Sequence, residues 1–184
     1  MTDSIEITAL RTVRFELRPL HVKDKLFFCN LYQDEELTQH IGGSLSDKRA
    51  ATAFQASLKL NQKPFTRYTW TILTNRTTKI GVCAIVLNEV LMNTADIGIV
   101  ILKKYHGTKV ATEVLQRLII FGFDGLKLDA ISGYSLFSNQ ISFKLMTNLG
   151  FRYQTQSLGS LPGFYWHLAE KDYCQIQASY GTNG

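Results

Sequence analysis

The sequence predicts one mixed α/β domain of the α+β kind, a mostly antiparallel central sheet flanked by helices. Three observations lead there. Three apolar, β-branched runs, 68–74, 79–88 and 95–104, follow one another with gaps too short for crossovers, so hairpins must join them. Helical periodicity takes over at 109–124 and again at 139–149, with a strand-like run at 128–136 between. Strand and helix units do not alternate regularly, which argues against a doubly wound sheet or a barrel.

Taken in order, TVRFELR at 12–18 alternates apolar and polar residues and reads as a strand stopped by Pro19. Residues 22–33 have helical spacing, and a short helix is expected at 35–40 before GGS at 42–44 breaks it. Ser46 is placed to cap a helix over 47–61, with Ala50, Ala53, Phe54 and Leu58 on one face. The helix at 109–124 would bury Val110, Val114, Leu115, Leu118, Ile119 and Phe121. Gly150 closes the 139–149 helix as its C′ residue, and strands at 151–157 and 163–169 follow, separated by LGSLPG. Residues 1–11 and 174–184 are expected to be peripheral tails of a single domain spanning 1–184.

Composition narrows the function. With 45% hydrophobic and 19% charged residues, the chain suits a globular fold and argues against disorder. No apolar run approaches the roughly 20 residues that cross a bilayer, and the N-terminus has no apolar signal core, so a cytoplasmic, membrane-free protein is expected. Cys29, Cys83 and Cys174 are far apart and odd in number, which points to free buried thiols and no metal site. The net charge of +5 could steer an anionic ligand, but no dense basic stripe with interleaved aromatics suggests nucleic acid.

One stretch suggests chemistry. YHGTKVATEVL, 105–115, leaves a strand and enters a helix, where free N–H groups and the helix dipole favour an anion, yet Gly107 is its only glycine. Four segments together resemble the GNAT superfamily of acyl-CoA-dependent N-acyltransferases, and its RimJ/RimL-like branch in particular. They are TVRFELRPLHVKD, ADIGIVILKKYHGTKVATEVLQRLIIFGF, SNQISFKLMTNLGF and YWHLAEKDY, in the right order over residues 12 to about 173.

The resemblance implies acetyl-CoA as co-substrate and a cofactor site at Ile101, Leu102, His106, Gly107, Thr108, Lys109, Val110, Ala111, Thr112 and Asn139. The family's loop pattern, Gln/Arg-x-x-Gly-x-Gly/Ala, falls on 106–111, with His106 first, Lys109 at the central glycine and only Ala111 fitting. Lys109 would be accommodated if its backbone is helical, its ammonium then reaching a phosphate as a point charge. It could equally stand in the way. Many relatives place a proton-donating tyrosine where this chain has Met146, which cannot donate. Ser142, at the position RimL-like members use instead, becomes the general-acid candidate, with helix packing as its bland alternative. Asn139 would touch the pantetheine arm, cap the helix, or both.

Asp96, in ADIGI, matches an acidic position common in the family and is the candidate general base, working through a water because it is shorter than glutamate. Glu89, expected in a hairpin turn, is the runner-up, Glu113 looks structural, and His167 is the only titrating group of the last hairpin. Backbone N–H groups around Ile99 to Leu102 would stabilise the thioester oxygen, where the cofactor strand splays from its neighbour. The activity implied is acetyl transfer to a primary amine, a protein N-terminus or a small molecule, by direct attack. A polyamine fits less well, because acidic residues cluster only at Asp34, Glu35 and Glu36. The competing expectation is a degenerate relative acting as a CoA-binding or protein-interaction module. A homodimer is left open.

Overall fold

A computed structural model describes residues 7–63, 66–158 and 161–174. Its strands are β1 (Leu10–Arg11), β2 (Phe15–Pro19), β3 (Arg67–Thr74), β4 (Thr78–Leu87), β5 (Thr94–Ile101), β6 (Ala130–Leu136), β7 (Arg152–Leu158) and β8 (Leu161–Ala169). Its α-helices are α1 (Lys25–Gln33), α2 (Glu35–Thr38), α3 (Asp47–Leu60), α4 (Val110–Ile120) and α5 (Gln140–Asn148). The strands form one sheet in the order β1-β2-β3-β4-β5-β6-β8-β7. All neighbours are antiparallel except β5 and β6, so the expected hairpins and mixed architecture are present.

Each face of the sheet carries its own apolar layer. α4 and α5 cover one, with Val114, Leu118, Met146, Trp70, Ile97, Ile131 and Trp166 in a single cluster. α1 and α3 cover part of the other, where Phe28, Leu31 and Phe54 pack on Val82 and Val100. Buried side chains of this size stabilise by roughly 1.5–3 kcal/mol each, so these layers fix where α4 and α1 sit.

A buried ion cluster pins the start of α1 to the sheet. Asp24, fully buried, accepts from Arg18 at 2.9 Å, Thr71 Oγ1 at 3.0 Å and the His21 N–H at 2.9 Å, and pairs with Lys79 at 2.7 Å. Burial alone would raise its pKa. The donors from Arg18, Lys79, His21 and Thr71 outweigh burial and hold it at about 2.

Several expectations change. The strand expected at 12–18 begins at Phe15, because Thr12 closes a tight turn through its side chain, accepting from the Phe15 N–H at 2.9 Å. Residues 7–11 are not a peripheral tail: Leu10 is buried, and Trp70 Nε1 donates to the Thr8 carbonyl at 2.9 Å. Ser46 takes the N-cap position of α3 without a side-chain cap bond. The strand expected to 104 stops at Ile101, since 103–105 coil into a 3₁₀ turn. The helix expected to 124 becomes a π turn at Phe121–Gly125, where Phe121 leaves the helix to pack edge-on against Tyr68 and Trp70. Gly150 does sit past α5 with φ +86°, a left-handed cap. Of the three free cysteines only Cys83 is buried; Cys29 is half-buried and Cys174 exposed. Among the described residues no helix is long and apolar enough to cross a membrane, and no His/Cys/Asp/Glu group could hold a metal.

Candidate active site

The parallel join between β5 and β6 lasts three residue pairs, ending at Asp96 with Ser132. Beyond that point β6 pairs only with β8, while β5 continues along β4 to Ile101. The sheet therefore opens into a V whose apex is Asp96/Ser132. Gly133 sits just past the apex: a Cβ there would lie 3.2 Å from the Met146 methyl and 3.6 Å from the Ile97 carbonyl, so glycine keeps the apex narrow and open. The V is the floor of a cleft of about 670 Å³.

Backbone alternation decides what β5 offers to it. Leu102 donates its N–H to Ile80 O on β4 at 2.9 Å, and the register makes Val100 and Gly98 face β4 as well. Ile99 and Ile101 therefore turn their N–H and C=O groups toward the cleft. The Ile101 carbonyl is already held by His106 Nε2 at 2.9 Å. A carbonyl only accepts, so that ring nitrogen carries the proton. Of the span 99–102 expected to supply a donor to a carbonyl oxygen, Ile99 and Ile101 keep N–H groups facing the cleft and Leu102 is excluded.

The cleft runs from this strand to the start of α4. Gly107 has φ +74°, and Lys109, the α4 N-cap, has φ +63° and ψ +14°. The helical backbone on which accommodation of Lys109 was conditional is not what forms. The residue adopts the left-handed conformation that suits glycine, at a cost of about 1 kcal/mol. The i→i−4 ladder of α4 opens with the Glu113 N–H, taken by Lys109 O, so the N–H groups of its first turn lie outside that ladder. N–H groups at a helix start, with the helix dipole behind them, suit an anion.

The start of α4 is braced from the turn just before β2. Arg14 donates from Nε and its backbone N–H to Glu113 at 2.7 and 2.8 Å, and from its guanidinium to the Thr108 carbonyl at 3.1 Å. Glu113 is therefore structural, as its helix position suggests. Desolvation opposes its ionisation, but Thr12 and Arg14 hold its carboxyl below the usual range.

The site residues predicted from the sequence divide in two. Ile101, His106, Gly107, Lys109, Val110, Ala111, Thr112, Asn139 and Ser142 line the cleft. Leu102 packs toward α1 and α3, and Thr108 turns its hydroxyl to Tyr105 O at 2.7 Å, so neither lines it. Asn139 Oδ1 accepts from the Ser142 N–H at 2.9 Å and caps α5, leaving its amide NH₂ for other contacts. Met146 is buried core, as a methionine there should be.

Asp96 does not line the cleft. It sits at the apex, one residue before the lining begins, and shares its side of the sheet with Val100 and hence with α1 and α3. Its side chain reaches solvent, yet enough protein surrounds it that desolvation raises its carboxyl above the usual range. No partner is recorded for it among the described residues. Ser132 and then His167 follow it in register on the same face, leaving His167 two strands away. Glu89 lies in the exposed β4–β5 turn.

Sequence reasoning missed Arg14, Glu36, His40 and Tyr134. Glu36, His40 and Tyr134 line the cleft. Gly133, a glycine inside a strand pattern, was the available signal for the last. Nothing local marks Glu36 or His40, because their helix reaches the cleft only through tertiary packing.

Comparison with known proteins agrees with this geometry. An "Acetyltransferase (GNAT) domain" family model matches residues 14–152. The protein named Uncharacterized N-acetyltransferase p20, from Bacillus licheniformis, is 26% identical over 148 residues, covering 78% of this chain and 82% of that one. A GNAT-family acetyltransferase from Bacillus anthracis superposes with a TM-score of 0.75 at 17% identity, over 89% of this chain and 99% of its own. A spermidine N-acetyltransferase from Vibrio cholerae, solved with CoA and spermine, gives 0.76 at 14% identity, over 88% and 98%.

Proposed function

The chain belongs to the GNAT acetyltransferase family, and from that premise we propose that it moves an acetyl group from acetyl-CoA to a primary amine by direct attack. The observation that carries this is the continuous path from the V, where β5 leaves β6, to the N–H groups at the start of α4. Acetyl-CoA supplies the thioester and hence the acetyl group. Its pyrophosphate matches the 107–112 loop, with the Lys109 ammonium adding charge. Ile99 and Ile101 pair with pantetheine amides as an added strand would, and the Asn139 amide contacts the same arm.

The residue roles follow. The Ile99 N–H faces the oxygen on which charge develops. Asp96, its carboxyl raised above the usual range by desolvation, draws the proton from the incoming ammonium through a water, since the carboxylate stands one residue behind the cleft. Ser142 offers a proton to the departing sulfur, a task closed to Met146. Direct attack is favoured because no cysteine is among the described residues lining the cleft, and burial pushes the Cys83 thiol up, away from nucleophilic use. The four resembling segments support the RimJ/RimL-like branch, whose acceptors include protein N-termini.

Titration calorimetry with acetyl-CoA, followed by release of free thiol over a panel of amines and N-terminal peptides, tests the proposal. Saturable binding and acceptor-dependent thiol release are expected. No heat at millimolar acetyl-CoA ends it, and binding without transfer to any acceptor favours a degenerate CoA-binding module.

A further inference from the structure

The open mouth of the V is crossed by a strap. α2 and the turn after it run along the α1 side of the cleft, and the strap is tied to both arms. Glu36 pairs with Lys103, two residues past the end of β5. His40 Nδ1 lies 3.2 Å from Ser138 Oγ, two residues past the end of β6. Nothing in the transfer chemistry requires this strap, yet Glu36, Leu37, His40 and Ile41 line the cleft it crosses.

Charge and apolar surface on the strap point the same way. Glu36 is the one carboxylate among the described residues lining the cleft, and Lys103 already neutralises it. A polycation finds no unpaired carboxylate in that lining. Flanking the His40–Ser138 contact are two apolar side chains left in water, Ile41 at 48% and Ile141 at 76% exposure. Ile41 adjoins His40, Ile141 sits in the first turn of α5, and both line the cleft. Apolar side chains at a cleft rim lose contact with water only when something apolar seats between them.

Resting on the acetyltransferase reading, we propose that the strap selects the acceptor, and that the acceptor is a primary amine with an apolar group beside its nitrogen, held between Ile41 and Ile141. Such a group occurs on free arylalkylamines and on peptides with an apolar N-terminal residue, and the two share this recognition.

The test measures kcat/KM by thiol release at fixed acetyl-CoA for 2-phenylethylamine, 2-methoxyethylamine, spermidine and a tripeptide beginning with phenylalanine. The apolar amine should exceed the methoxy amine by about tenfold or more, the gain a hydrophobic contact gives, with spermidine lowest. The tripeptide against 2-phenylethylamine identifies the source. Ile41→Asn and Ile141→Asn should bring the apolar and methoxy amines to within about twofold through KM, with an unchanged thermal midpoint because both positions are exposed. Transfer that favours spermidine, or a preference that survives both substitutions, overturns this proposal while leaving the acetyltransferase reading in place. Acetyl-CoA binding without transfer to any acceptor overturns both.

Discussion

Two aspartates on the same face of the sheet have opposite fates. Asp24 sits over β2, β3 and β4 with four donors around it, and its pKa is held at about 2. Asp96 sits at the apex of the V with no recorded partner, and desolvation moves its pKa up. Burial acts on both in the same direction. The difference is whether the surrounding strands bring donors. Asp24 is used to hold α1, and so the strap that follows it, against the sheet. Asp96 is left uncompensated, the condition a proton acceptor needs.

Substitutions should separate the pair. Asp96→Asn is expected to lower kcat/KM by about a thousandfold, within the range for a general base, with little change in acetyl-CoA affinity by calorimetry. The raised pKa means the charged carboxylate costs stability at neutral pH, so this variant should melt slightly higher than the parent. An unchanged rate removes Asp96 from the mechanism. Asp24→Ala should lower stability by about 3 kcal/mol in urea unfolding, because Arg18 and Lys79 lose their partner but can still turn toward water.

Acid sharpens the contrast. The folded pKa of Asp24 is below its unfolded value near 3.8, so its contribution is complete above about pH 4 and is lost as pH falls through 2. The loss is on the order of 2 kcal/mol, and Asp24→Ala should abolish that part of the acid sensitivity. The smallest effect concerns Lys109. Lys109→Gly should raise stability by no more than about 0.5 kcal/mol, relief of about 1 kcal/mol of left-handed strain less roughly 0.5–1 kcal/mol for the entropy of a glycine. Lys109→Ala keeps the strain and loses the charge, and should weaken acetyl-CoA binding by about 1 kcal/mol. Tighter binding by the glycine variant marks the side chain as an obstruction.

Much of the fold was legible in the sequence. The three central strands read correctly because β-branched runs and short gaps leave no alternative to hairpins. α4 and α5 read correctly because their apolar faces repeat at helical period. The errors fell where a local bond ends an element: the Thr12 turn, the coil at 103–105 and the π turn at Phe121, each decided by a contact that periodicity does not encode. At the site, the stretch 105–115 could be located, since a strand followed by a helix is a sequence pattern. The backbone of Lys109 could not, since lysine does not announce a positive φ.

Local pattern thus determined which segments are strands and helices, and where the strand-to-helix loop proposed to hold the pyrophosphate lies. Only the tertiary structure decided that β5 parts from β6 after Asp96, that alternation turns Ile99 and Ile101 into the cleft, and that Glu36 and His40 tie a strap across it. Those facts depend on which strands become neighbours and in what register, and register is set by packing among residues far apart in the chain.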